Sequence, residues 1–179
     1  MRAGRLRNRI RIENGTQGLD SYGDPTDVTT WAIDATVWGG VRYLTGKELE
    51  DAEQIQPEVS SEVTLRYKNL NAEQRLLIMK ANTTLDGAIS TTDGTALTVS
   101  ESLNQSESTE FRILVGSEIM IVSSVSGLDY TVERGADGTT AATHLDDVDV
   151  WILAIFEIQS VIDIDERERT TICACIERP

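Results

Sequence analysis

Residues 41–67 read VRYLTGKELEDAEQIQPEVSSEVTLRY and join two strand-like runs through one short helical stretch. Thr45 and Glu48 are spaced as a capping box, in which hydroxyl and carboxylate each satisfy a backbone N–H left unpaired at a helix start. Leu49, Ala52 and Ile55 then recur at helical spacing, with Glu48, Glu50, Asp51 and Glu53 on the other face. Pro57 disfavours the α conformation at Gln56, so the helix is short. Beyond it the period becomes two: Val63, Leu65 and Tyr67 alternate with Glu62, Thr64 and Arg66, a strand with one wet and one buried face.

Outward from this stretch the signals are those of strands. Residues 5–13 alternate, with Leu6, Ile10 and Ile12 on one face, Asn8 the exception among them, and Arg5, Arg7, Arg9, Arg11 and Glu13 on the other. That second face reads as solvated or as pairing with an acidic neighbouring subunit; a DNA contact is the alternative, since guanidinium forks match phosphate geometry. Asn14-Gly15 and the run LDSYGDP at 19–25 carry turn chemistry. A strand follows over 28–43, with Gly39-Gly40 marking a bulge or a close backbone approach and Trp38 a core or interface anchor. Further strands are expected over 155–161 and 170–177.

These pieces, in this order, resemble the phage head-tail adaptor proteins, also described as head closure, stopper or head-tail joining proteins. The resemblance is carried by Gly4 to Ile10 (GRLRNRI), the Asp-x-Tyr-Gly-x-Pro turn from Asp20, Ala35 to Trp38, Leu44 to Glu48, Gln54 to Val59, Val63 to Tyr67, and Phe156 to Arg167 (FEIQSVIDIDER). It also implies a short turn and then a strand over Asn69 to Met79 that hairpins directly back, and it departs in one place. The hairpin tip expected after Met79, ordinarily about two to five residues, is replaced by about seventy. An inserted domain with neighbouring termini leaves such a host sheet intact. The expected architecture is therefore all-β: a small antiparallel barrel formed by 1–80 and 153–179, with one short helix on a long connection, interrupted by a second β domain over 81–152.

Charge separates the same two parts. The 179 residues carry a net charge of −14. Residues 81–152 hold 12 Asp and Glu against Arg112 and Arg134, a net of −10, while the rest holds 18 against 14, a net of −4. Within the insert, short strands are expected at 96–99, 111–115, 118–125, 130–132 and 148–153, with turns at Gly116-Ser117, Ser126-Gly127 and Asp137-Gly138. The stretch 111–144 resembles a small β-module of assorted phage structural and tail proteins, notably in its Val-x-Arg-Gly-x-x-Gly-Thr-Thr-Ala segment from Val132.

Several chemistries are disfavoured. The single histidine, His144, leaves no Ser-His-Asp or Cys-His scheme with a recognisable nucleophile. Asp163, Asp165, Glu166 and Glu168 lack the Gly and Glu positions of a calcium loop and read as a self-neutralising turn with Arg167 and Arg169. Cys173 and Cys175 share one strand face and point in parallel, which suits reduced packing rather than a disulfide; with one histidine a zinc site is not expected. No cofactor, no metal and no enzymatic activity are expected. There is no leader pattern and no apolar run of the ~18 residues a membrane span needs, so a soluble, unprocessed chain is expected.

The resemblance implies a structural virion protein of a tailed bacteriophage, made in the host cytoplasm and placed at the head-tail neck. It implies a closed homo-oligomeric ring of six or twelve subunits between portal-adaptor proteins and the tail terminator or tail tube protein, with phage DNA passing through without sequence-specific binding. On this reading Glu48, Glu50, Asp51, Glu53, Glu58 and Glu62 are candidates to border or gate the DNA channel, an acidic wall adding none of the salt-dependent affinity that each neutralised phosphate brings. Arg5, Arg7, Arg9, Arg11 and Trp38 are candidates for a subunit or ring interface. The alternatives are a glycan- or receptor-binding virion module carried by the insert, or a hydrolase built on its carboxylates. The insert's aromatics, Phe111, Tyr130 and Trp151, sit in apolar runs where burial is expected, which disfavours the glycan reading.

Overall fold

The structure is a computed structural model and describes residues 6–44, 59–103, 110–163 and 170–178. The helix expected over 45–56 and the acidic turn after Asp163 lie outside the described residues. Among those described, regular structure is entirely strand: β1 (Asn8–Leu19), β2 (Pro25–Tyr43), β3 (Ser61–Arg66), β4 (Gln74–Thr84), β5 (Ala96–Thr98), β6 (Phe111–Val115), β7 (Glu118–Ser126), β8 (Asp129–Glu133), β9 (Asp149–Asp163) and β10 (Thr170–Arg178). The all-β antiparallel reading holds. No helix of the described residues is long and apolar enough to cross a membrane.

The chain divides into two compact units: residues 1–16, 32–78 and 154–179, and residues 17–31 and 79–153. The second unit thus contains the insert together with the tip of the β1–β2 hairpin, which sequence patterning assigned to the host. The expected strands at 148–153 and 155–161 are one continuous strand, β9, which contributes residues to both units.

In the first unit the strand order is β10-β3-β2-β1-β4-β9, and β9 also pairs with β10, which closes the ring of strands. Closure removes exposed sheet edges. Its interior is one apolar cluster holding Ile10 and Ile12 of β1, Val63 and Leu65 of β3, Leu76 and Ile78 of β4, Phe156 and Ile158 of β9, and Cys173 and Cys175 of β10. Those residues lie two apart on their strands because successive side chains point to opposite faces. Gly39 of β2, opposite Leu65, also faces this interior: a Cβ there would collide with Ile10 Cδ1 and come within 2.6 Å of Leu65 Cδ2. Of the two roles open to the glycine pair, Gly39 takes the close approach. Both cysteines are free and buried. Burial pushes the Cys173 thiol up to about 12 and also raises Cys175, so neither is a ready thiolate.

Asn14-Gly15 does not turn the chain. β1 runs straight through, because the Gly15 amide donates to the Glu73 carbonyl at 3.3 Å and the Asn14 side chain accepts from Gln74 Nε2 at 2.6 Å. The turn comes at 20–24, where Asp20 Oδ1 accepts the amides of Tyr22 and Asp24 at 2.8 and 2.9 Å and Gly23 takes φ +89°. Those amide bonds, from Asp24 and then Tyr22, hold the Asp20 carboxyl below its usual range.

The second unit strings β9-β6-β7-β8-β5 together. β5 then joins residues 84–86 through Asp86 N to Thr98 O and Ser100 N to Thr84 O, and Leu85 N donates to Val148 O just before β9. Its apolar cluster draws on Leu85, Val99, Ile113, Met120, Val122, Tyr130, Val132 and Val150. Phe111 meets Tyr130 edge-on, with centroids 6.0 Å apart and planes at 84°. Tyr130 is 2% exposed and its hydroxyl accepts the Leu103 amide, so this ring is core rather than a stacking platform.

Candidate assembly surface

The outward face of β2 and β3 in the first unit carries Trp38, one of the residues that sequence analysis assigned to an interface. Alternation sets Trp38 and Arg42 on the face opposite Gly39 and Val41. Trp38 is 53% exposed, which decides against the core reading. The Arg9 guanidinium lies 5.3 Å from its ring centroid, a cation–π contact of about 0.5–1 kcal/mol at an exposed site. Beside them is a cleft of about 770 Å³ lined by Leu6, Val37, Trp38, Arg66, Tyr67 and Lys68. Tyr67 is 41% exposed, and Lys68 is tied to Asp34 at 2.8 Å.

The candidate residues are not brought together as one patch. Arg7 and Arg9 are exposed, whereas Arg11 is largely buried. Arg5 lies outside the described residues, as do Glu48, Glu50, Asp51, Glu53 and Glu58. Glu62 is described: it sits opposite Arg42 in the β2–β3 register and accepts from that guanidinium at 2.9 Å. Its charge is therefore matched across the strands rather than added to an unopposed acidic row.

The expected solvated face of β1 needs correcting at two positions. Glu13 is 3% exposed and Arg75 of β4 is 2% exposed. Arg75 Nε donates to Glu13 Oε2 at 2.8 Å, its Nη2 lies 2.8 Å from the same oxygen, and Arg11 Nη1 is 3.9 Å from Oε1. Burial lowers the Arg11 pKa, partly countered by Glu13. Alternation placed these charges on the non-core face correctly, but a strand's own sequence does not record what covers that face. No local signal singled out Arg75, whose carboxylate partner is 62 residues away.

A second buried charged node lies within the second unit, and it explains the Val-x-Arg-Gly-x-x-Gly-Thr-Thr-Ala segment. Glu118, at the first position of β7, is fully buried. Five donors converge on its two oxygens: Arg134 Nε at 2.7 Å, Arg134 Nη2 at 2.9 Å, the Gly135 and Ala142 amides at 3.0 Å each, and His144 Nε2 at 2.8 Å. Burial alone would push this carboxyl up, but the bonds from Arg134, the Ala142 amide, His144 and the Gly135 amide outweigh it and hold it down at about 2. Arg134 further donates to the Thr91, Gly94 and Ala142 carbonyls. Gly135 and Gly138 take φ +63° and +78°, and Thr139 Oγ1 accepts the Ile119 amide at 3.0 Å while donating to Ala136 O at 2.8 Å. A Cβ on Gly138 would stand 2.7 Å from Thr29 O and 2.8 Å from Trp31 Cδ1. The motif is thus a structural clasp. His144 takes part in it through Nε2, and among the described residues no group of three or more His, Cys, Asp or Glu could hold a metal.

A family profile described as phage head completion protein matches residues 1–119, two thirds of the chain. The chain belongs to the phage head completion protein family. Membership makes it a structural protein of the phage head, located in the virion and associating with other head and tail proteins. No curated protein matches it. Among solved structures, the solution structure of a Shigella flexneri 2a protein overlays with a TM-score of 0.31 at 18% identity, covering 86% of this chain and 94% of that one. That likeness is too slight to bear on fold or role.

Proposed function

We propose that this head completion protein acts as a ring-forming head closure subunit at the head-tail neck, joining the portal-adaptor complex on one side to the tail terminator or tail tube on the other, with the DNA path through the ring. The observation that carries this reading is the family match over residues 1–119. Two features support it. The first unit is a closed barrel whose edges are used up, which suits a subunit that assembles through side-chain surfaces and not through strand addition. The chain is strongly acidic at −14, which suits a conduit wall that DNA must leave without binding, the repulsion fading beyond a Debye length of ~8 Å at physiological salt.

The deciding experiment is to delete the chain from the phage that encodes it and to label a tagged copy in intact particles. Genome loss from filled heads lacking tails, together with averaged density for the tag at the neck, is the expected result. Label at a fibre or tail tip, with heads and tails joined normally in the deletion, would overturn the proposal in favour of a receptor-binding module.

A further inference from the structure

We infer that the β1–β2 hairpin tip, residues 19–25, is a docking finger that inserts Tyr22 into the cleft bordered by Trp38, Arg66 and Tyr67 on a second copy of this chain. The inference rests on the ring reading above and names the two surfaces that would close that ring.

The tip is built to present one side chain. Asp20 N donates to Asp24 O at 2.8 Å and Gly23 N to Asp20 O at 3.1 Å, in addition to the two amides held by Asp20 Oδ1. Gly23, at φ +89°, supplies the left-handed step that such a turn needs. On this ordered turn Tyr22 is 90% exposed, and Leu19, where β1 ends, is 66% exposed. An aromatic ring held out in water by a fixed backbone has already met the ordering cost that a flexible loop meets on binding, and tyrosine is prominent among the residues that anchor interfaces.

The cleft matches the tip in chemistry. Leu6, Val37, Trp38 and Tyr67 give it apolar walls. No ion pair to Arg9 or Arg66 occurs among the described residues, while the neighbouring cations are already matched, Arg42 by Glu62 and Lys68 by Asp34. Arg9 is held over Trp38, and Arg66 lies one position beyond the Gly39–Leu65 pair, which sets it beside Trp38 on the outer face. The tip carries Asp20 and Asp24 on either side of Tyr22, with no cation between Leu19 and Pro25. A ring between two carboxylates thus meets an apolar cleft between two guanidinium groups. A DNA phosphate would satisfy the arginines but leave the apolar walls without a partner.

The occupant comes from another copy because tip and cleft share a strand. β2 is unbroken from Pro25 to Tyr43, and the thirteen steps from Pro25 to Trp38 amount to about 43 Å of rise at ~3.3 Å per residue. An extended strand does not double back on itself, so a chain does not lay its own tip in its own cleft. Because finger and cleft are different surfaces, the contact is heterologous, the kind that propagates around a ring until the rotation closes it.

The test uses the full chain in isotopically light form with a photo-crosslinking phenylalanine analogue in place of Tyr22, mixed with the heavy native chain. The expected result is heavy–light crosslinked peptides joining position 22 to residues 37–38 or 66–68. R9E together with R66E in the heavy chain should lower their yield at least about tenfold, and S21R with D24R in the light chain should then restore it, which excludes simple misfolding. Tyr22→Ser in the otherwise native chain should lower the assembled fraction, measured by mass, at least about tenfold while circular dichroism and cooperative unfolding stay unchanged. Crosslinks confined to single light chains, crosslinks to another surface or to an added DNA duplex, or no intermolecular product at any concentration up to the solubility limit would each overturn the docking finger. Rings that assemble normally with Tyr22→Ser would overturn it while leaving the head closure reading intact, and failure of that reading shows separately, in where the tagged chain lies in intact particles.

Discussion

Replacing Glu118 by glutamine isolates the node that holds the second unit's loops together. The carboxylate receives five donors on two oxygens. Glutamine keeps the volume but offers one acceptor oxygen and turns an NH2 group toward the remaining donors, so at least two buried N–H groups lose their acceptor and the Arg134 charge loses its partner. Removing one member of a buried pair costs about 3–5 kcal/mol. An independent route gives a similar size: lowering the carboxyl from its ordinary 4.5 to about 2 corresponds to roughly 3 kcal/mol of preference for the ionised form in the folded state. The sign follows from the depressed value. That stabilisation is fully present above pH 4.5 and is lost as pH falls from there through about 2. Urea unfolding followed by tryptophan fluorescence, run on the native chain and E118Q from pH 7 to pH 2, reads the difference between the two and so cancels the other carboxylates. The native chain should lead by about 3 kcal/mol at pH 7, with the gap closing below pH 4.5. A gap under about 0.5 kcal/mol at pH 7, the scatter of ordinary surface substitutions, or one that does not change with pH, would refute the assignment.

Three further outcomes are expected. Arg75→Met strands Glu13 and should cost about 3 kcal/mol, whereas the double change E13L with R75M removes both charges and should recover most of it; a double variant as unstable as the single would show that the pair is needed for more than mutual neutralisation. Gly39→Ala places a methyl against Ile10 and Leu65 and should destabilise by about 1–3 kcal/mol in urea titration, the flexible ends of both neighbours setting the lower limit. Replacing residues 81–152 with an Asn-Gly turn should leave a soluble chain whose barrel still unfolds cooperatively in a denaturant titration, because its apolar cluster draws only on residues of the first unit. The hairpin tip at 17–31 should then lose amide-exchange protection, since Thr29 and Trp31 pack against Gly138.

The sequence by itself determined the all-β antiparallel class and most of the strands. Alternation along 5–13, 63–67 and 155–161 identifies inward residues because a strand's period of two is a local property of the backbone. Turn glycines are similarly local: Gly116, Gly127 and Gly138 all adopt positive φ where the sequence placed turns. The family signature was legible for the same reason, as runs of neighbouring residues. What only the tertiary structure decided is which polar residues are covered and by whom they are satisfied. Glu13 reads as solvated and is buried, with Arg11 largely covered beside it, because Arg75 reaches Glu13 from a strand 62 residues away. Asn14-Gly15 reads as a turn and is strand, because Glu73 and Gln74 take up its hydrogen bonds. Glu118, Arg134 and His144 converge from positions 16 and 10 residues apart in the stretch 111–144, and their local pattern does not say that they meet. Local patterns fix the direction in which a side chain points; its partner is fixed by chain crossings between distant residues, which backbone periodicity does not encode.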